Sequence, residues 1–268
     1  MAVGYVMTSG SELPLAEWWN GSTWSITSST SSSAVDGQLN GVSCTSAIYC
    51  VAVGQGVEGG LVEAWNGSTW SVMATRAPGQ LQKVSCATEG QCVAVGFRGN
   101  SSSLALRLTG NTWSVTKAPN FGGEDGLEGV SCPHANSCVA IGNFYNPKSG
   151  ASSPEALAWN GSKWAGMATP ANPEGESALN SVACVSSTEC LSVGQEVYWT
   201  KGLLESQPLL EGWNGTSWIQ FENTVPSPAN DPFLNDVSCP SSTLCVAVGT
   251  TGDGNAGPEW PLIETGPA

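Results

Sequence analysis

Ten cysteines fall in five pairs of one spacing, Cys44/Cys50, Cys86/Cys92, Cys132/Cys138, Cys184/Cys190 and Cys239/Cys245, each Cys-x5-Cys with none left over. A five-residue gap suits a short hairpin whose two strands are stapled at the turn, and such bonds persist only in oxidising compartments. Five disulfides and a secreted, extracellular location are therefore expected. Zinc is the weaker reading, because zinc sites favour shorter Cys spacings or added His, and His134 is the only histidine. No metal and no cofactor are expected.

The cysteine pairs belong to a longer unit, LNGVSCTSAIYCVAVGQGVEGGLVEAWNGSTWSVMA, which recurs with small changes to the end of the chain. Successive first cysteines lie 42, 46, 52 and 55 residues apart, the length of a four-stranded propeller blade. Within a unit, strand A reads LNGVSC, B CVAVG, C LVEAWNG and D TWSVM. The fold class expected is all-β, a β-propeller of four-stranded antiparallel blades forming one domain over residues 1–268. Its repeats run over 2–44, 49–86, 91–132, 137–184 and 189–239, with a closing partial repeat at 244–266. Strands A and D occur five times but B and C six. Five blades are favoured, with Thr23–Ile26 completing the blade tied by Cys239–Cys245; six blades, two of them incomplete, are the alternative.

The Asn-Gly of WNGSTW predicts a tight type I′ hairpin between C and D. The pairs Trp19/Trp24, Trp65/Trp70, Trp159/Trp164 and Trp213/Trp218, with Leu108/Trp113 as the departure, are expected to be core. Asn20, Asn66, Asn160 and Asn214 also match the glycosylation sequon, which turn geometry explains more simply. Glu17, Glu63 and Glu211 recur two residues before the Trp and read as sheet decoration.

Composition excludes several partners. The formal net charge is −14 with eight Lys and Arg in all, so the counterion release that drives nucleic-acid binding has little to act on. Anionic membranes are equally poor partners. No run of about 18 apolar residues predicts membrane insertion. The N-terminus MAVGYVMTSG lacks the regions of a signal peptide, so a signal has been removed or Met1 is not native.

The run IYCVAVG…LVEAWNGSTWSVMA resembles the kelch-type propeller repeat, in which a Tyr-containing strand ending in glycine precedes a strand closing in an aromatic, a tight turn and a Trp. Strand A, with Leu39, Val42 and Cys44, is similar to the inner strand of WD-type repeats. A single glycine per blade (Gly54, Gly96, Gly142, Gly194, Gly249) and the per-blade disulfide mark a bacterial, secreted branch of this resemblance, which implies protein interaction.

A propeller gathers its A–B and C–D turns on one face and its B–C and D–A connections on the other. The second set varies in length here, and variable loops on a rigid scaffold carry binding. Three features are expected on that face. A ring at the inner-strand starts comprises Asn40, Gln82, Lys83, Glu128, Asn180, Asn235 and Asp236. Aromatics in B–C loops are Phe97, Phe144, Tyr145, Tyr198, Trp199 and Trp260, a platform for sugar faces beside amides and carboxylates. Acidic D–A connections contain Asp36, Glu124, Asp125, Glu174, Glu176, Glu222 and Asp231. Asp253-Gly254-Asn255 matches only part of a calcium loop.

The function expected is an extracellular, lectin-like glycan-binding module, with a protein-interaction scaffold as the alternative and a glycoside hydrolase using Glu128 and Asp236 as a second. No catalytic residues are assigned. One histidine cannot assemble a copper site, and with every Cys paired and His134 in a disulfide hairpin, serine or cysteine hydrolysis fails too. The partner is a glycan or an extracellular protein, with neither nucleic acid nor membrane insertion. Spare strands would let copies of the chain pair into a homo-oligomer.

Overall fold

The computed structural model describes the chain except residues 9, 28–35, 74, 76, 100–101, 122–123, 148–149, 171, 173–174, 201–202, 223–229, 253–259 and 268, with backbone alone at 199, 200, 203, 204, 230 and 231. The described residues contain no helix and form six antiparallel sheets. Two compact units hold three sheets each, Met1–Ala118 and Pro119–Ala268.

In the first unit β1 (Ala2–Thr8), β2 (Ser11–Trp19) and β3 (Trp24–Thr27) make a three-stranded sheet. It is followed by β4 (Gly37–Ser46), β5 (Tyr49–Gly56), β6 (Gly59–Trp65) and β7 (Trp70–Val72), then by β8 (Gln80–Thr88), β9 (Gln91–Arg98), β10 (Ser102–Thr109) and β11 (Thr112–Thr116). In the second unit β12 (Glu124–His134), β13 (Ser137–Asn146), β14 (Ala151–Trp159) and β15 (Trp164–Met167) form one sheet. The next contains β16 (Gly175–Ser186), β17 (Glu189–Thr200), β18 (Leu203–Trp213) and β19 (Trp218–Gln220), and the last β20 (Asn230–Ser241), β21 (Leu244–Gly252) and β22 (Trp260–Gly266). Each sheet follows sequence order, so the four four-stranded blades are meanders of strands A to D, while among the described residues the first sheet holds B, C and D and the last A, B and C. The six-bladed alternative is the one that fits. Thr23–Ile26 does not complete the sheet tied by Cys239–Cys245: β3 belongs to the first sheet, where it pairs with β2 through Trp19↔Trp24 to Ala16↔Thr27.

All five disulfides are present, each joining the end of strand A to the start of B across a separation of 6 residues. Strand B is the middle of each core, and its alternation sends successive side chains to opposite neighbours. Cys50 and Ala52 pack with Ala16, Leu39 and Trp70 toward the first sheet, whereas Val51 and Val53 pack with Leu81, Leu104 and Trp113 toward the third. The second unit repeats this, with Cys190 packing with Ile141 and Leu179 while Leu191 and Val193 pack with Leu234 and Val237.

The single glycine of strand B has a steric cause. Strand A bulges at Asn40, Gln82, Glu128, Asn180 and Asn235, where the pairing register skips one residue. Beside each bulge the A backbone closes over the glycine, so that a Cβ on Gly194 would lie 2.0 Å from the Ala178 carbonyl oxygen and one on Gly142 1.9 Å from that of Gly126. Relieving this contact means breaking the ladder. Gly194→Ala is expected to cost about 3 kcal/mol or more, read as a lowered urea midpoint; a loss below about 1 kcal/mol would show that the bulge yields.

Two local expectations change. Trp19↔Trp24 and its counterparts are themselves paired, so the C–D connection has four residues and not a two-residue type I′ turn. The Asn closes it as an Asx turn, Asn66 Oδ1 accepting from the amides of Ser68 (3.0 Å) and Thr69 (2.9 Å), while Gly67 takes φ +93°. The Trp core holds for Trp65, Trp70, Trp113, Trp159, Trp164 and Trp218. Trp213 is half-buried, and Trp19 and Trp24 are exposed.

Candidate functional site

The strands run beyond the repeat motif at their B–C ends, and this relocates the predicted aromatics. Phe97, Phe144, Tyr145, Tyr198, Trp199 and Trp260 stand on β9, β13, β17 and β22, not in loops. The extensions, 97–98, 143–146 and 195–200, contain the aromatic, Val and Thr residues that favour continued pairing over a loop. Tyr145 pairs across from Glu124 and is exposed, whereas Phe144 pairs across from Asp125 and stacks on Phe121 at 5.4 Å. Phe97 is partly buried opposite Gln80. Tyr198 is also partly buried, and its phenol bonds Glu205; burial, then the charges of Glu205 and Glu196, push its pKa up. Trp260 is 61% exposed. The Trp199 side chain and Asp253-Gly254-Asn255 lie outside the described residues.

The predicted ring residues sit at the bulges, where several link neighbouring inner strands. The Asn40 amide donates to the Leu81 carbonyl and to Gln82 Oε1, both at 2.9 Å. Asn180 Nδ2 donates to the Leu234 carbonyl at 2.7 Å, and Ser181 Oγ donates to the Asp236 carboxylate. Lys83 packs its stem near Gly41, where a Cβ would meet Lys83 Cδ at 3.4 Å. Asn235 is exposed. Glu128 is half-buried on β12, and β16 packs against both β12 and the β20 that carries Asp236. β16 therefore lies between the strands that carry Glu128 and Asp236, and the Asp236 carboxylate accepts from Ser181.

A concave feature lies in the first unit, at the B–C and D–A end of the first two sheets. A cleft of about 430 Å³ is lined by the polar side chains of Glu12, Asp36, Gln38 and Gln55 and the apolar ones of Met7 and Val57. Glycines Gly10, Gly37 and Gly56 complete it. The β1–β2 hairpin is longer than β5–β6: from the partner of the matching glycine to the turn, Gly4↔Leu15 runs to Thr8↔Ser11, while Gly54↔Leu61 runs only to Gly56↔Gly59. The overhang is tied back by the Glu12 amide, which donates to Asp36 Oδ1 at 2.8 Å. Gly37 keeps the floor low, since a Cβ there would sit 2.3 Å from the Gln55 carbonyl oxygen. At the next junction the corresponding space is filled. Ala77 is buried, its carbonyl accepts from Gly60 N at 3.3 Å, and a Cβ on Gly60 would lie 2.7 Å from Ala77 Cβ.

Of the cleft residues, Asp36 alone was expected, as an acidic D–A residue; Glu12, Gln38 and Gln55 carry no motif. The hairpin length of the first repeat was the one signal available. Among the other acidic connections, Asp125 is buried and accepts from Phe121 N at 3.0 Å, so it holds a turn and is not a solvating loop residue. The Glu of strand C is also not decoration, because Glu63 and Glu211 are buried. Burial, and then the charge of Glu196, push the Glu211 pKa up to about 8. Glu196 accepts from Gln207 Nε2 at 2.7 Å and from Gln220 Nε2 at 3.1 Å, while Glu211 Oε2 has no hydrogen-bond partner among the described residues. His134 is exposed at the A–B turn.

No protein-family model and no curated protein sequence matches the chain, so the kelch-like resemblance rests on the repeat motifs alone. Solved structures do match. The Aleuria aurantia lectin, described as a six-bladed β-propeller with a fucose recognition mode, shares 10% identity at a TM-score of 0.52 over 98% of this chain and 90% of that one. A nidogen/laminin complex contains a chain 10% identical at a TM-score of 0.53, over 99% and 93%. YCF48 bound to D1 peptide is 13% identical at 0.50, over 84% and 68%. Likeness at this identity establishes the fold, a β-propeller, and leaves function to the site.

Proposed function

We propose that this chain is an extracellular glycan-binding module whose ligand enters the cleft between the β1–β2 and β4–β5 hairpins. The observation that carries this reading is the lining. Carboxylates and amides converge on one concave surface and can both accept from and donate to sugar hydroxyls, while Met7 and Val57, 65% and 78% exposed, offer apolar cover for ring carbons. The cleft lies on the B–C and D–A side, where the sequence places the variable connections. Five disulfides fit an oxidising, extracellular compartment, and one of the matching propellers is a lectin seen with fucosides. Tyr145 and Trp260, on two other sheets, are exposed aromatics outside the cleft.

The test is binding of the oxidised chain to a glycan and polysaccharide array, beside a Gln38→Ala/Gln55→Ala double variant and a Tyr145→Ala/Trp199→Ala double variant. The cleft reading expects the first pair to lower affinity at least about tenfold, the loss of two or more hydrogen bonds, and the second pair to leave it unchanged. The reverse pattern would move the site to the aromatic strands, and no signal on any glycan would remove the reading.

A protein partner is the second reading, favoured by the apolar surface of the first sheet. Tyr5, Val6, Met7, Trp24 and Ile26 are all exposed there, more than scattered surface residues require. Among the described residues, β1 and β22 each stand at an edge of their sheets. Pairing between copies through these edges would give the homo-oligomer.

A further inference from the structure

We infer that the cleft selects glycans bearing a protonated amine, as in 2-amino-2-deoxy sugars, over their N-acetylated or acidic counterparts; this rests on the glycan-binding reading above. The cavity is a shaped space with mixed lining, held open by the overhanging β1–β2 hairpin where the neighbouring junction is packed shut. Two of its four polar side chains are carboxylates, and no Lys or Arg is among the described residues that line it. One oxygen of Asp36 is taken by the Glu12 amide at 2.8 Å. The half-buried Glu12 carboxylate has no hydrogen-bond partner among the described residues, and the same is true of the Gln38 and Gln55 side-chain amides.

That division of labour sets the ligand class. Asp36 positions the hairpin, Gln38 and Gln55 serve hydroxyls, and Glu12 offers an unmatched negative charge. An ammonium group on the sugar satisfies that charge, an acetamido group does not, and a uronate or sulfate would add repulsion in a chain of net charge −14. A single partly exposed ion pair supports a preference of about two- to fivefold. Salt should erode it, because the screening length falls from about 30 Å at 0.01 M to about 10 Å at 0.1 M.

Isothermal titration of the oxidised full chain would compare a glucosamine hexamer with an N-acetylglucosamine hexamer at low and moderate salt. Three proteins are needed: the wild type, Glu12→Gln, and Glu89→Gln, which removes the same charge from the exposed turn between β8 and β9. Tighter binding of the amino hexamer, lost in Glu12→Gln and at moderate salt but kept in Glu89→Gln, is the expected result. Equal loss in both variants would reduce the effect to bulk charge and overturn the inference. Equal or better binding of the acetylated hexamer would overturn the inference while the glycan reading stands. Silence with both hexamers and across the array would end the glycan reading itself.

Discussion

Reducing all five disulfides is expected to leave the chain unfolded, or within reach of unfolding, at 25 °C. Each bond closes a ring across a separation of 6 residues, and chain entropy makes a ring of this size worth about 2 kcal/mol. Five together give on the order of 10 kcal/mol, comparable with the whole stability of an ordinary domain, about 5–15 kcal/mol. The loss acts through the unfolded state. At least one cysteine of each pair is buried in its blade core, Cys50, Cys92, Cys138, Cys190 and Cys245, with Cys132 as well, and as a thiol each still packs as a small hydrophobe. The melting temperature with and without a phosphine reductant is the measurement, and a fall of about 20 °C or more is expected at about 2–4 °C per kcal/mol. A fall under about 5 °C would mean that the sheets hold the hairpins closed without covalent help. The Cys86→Ala/Cys92→Ala pair alone should cost about 2 kcal/mol.

Glu211→Gln is expected to flatten the alkaline side of the stability profile. Burial and the Glu196 charge push the folded-state pKa of Glu211 up to about 8, above the unfolded value of about 4.3. A group raised on folding contributes fully below its unfolded pKa. Its contribution is then lost as pH rises, here from about 4.5 through about 8, at up to about 1.4 kcal/mol per pH unit. The wild type should therefore lose on the order of 5 kcal/mol across that window through this one side chain, and the variant should not. Because the amide brings its own hydrogen-bond needs to a site where Glu211 Oε2 already lacks a hydrogen-bond partner among the described residues, the informative quantity is the difference in slope between pH 5 and 9. Parallel urea-unfolding profiles for the two proteins would show that Glu211 ionises in the fold without penalty.

The buried acids mark where sequence reading stops. Glu17, Glu63 and Glu211 share one place in the repeat, and a period-2 pattern says which face of the strand they occupy. It does not say whether that face meets water. Glu63 and Glu211 are covered by packing that no local spacing encodes. The bulges behave likewise. The recurrent glycine of strand B was visible as a pattern, but its cause, a carbonyl of strand A about 2 Å from the absent Cβ, exists only once A and B are paired out of register.

What the sequence determined by itself was the covalent and local framework: five hairpin disulfides, four-stranded meander blades and the Asn-Gly connections of strands C and D. Each follows from residues within a few positions of one another, so spacing carries it. Tertiary structure decided everything that depends on two blades meeting. It folded the aromatic stretches into strands, because the hairpins keep pairing past the motif. It turned the Asn40 and Asn180 amides toward the neighbouring strands, because an unpaired amide at a packed bulge would be costly. It opened a cleft at the first junction and closed the second, because a longer hairpin overhangs Asp36 where Gly59 and Gly60 instead let Ala77 pack flat. Such outcomes turn on distances between segments tens of residues apart, which composition and period do not record.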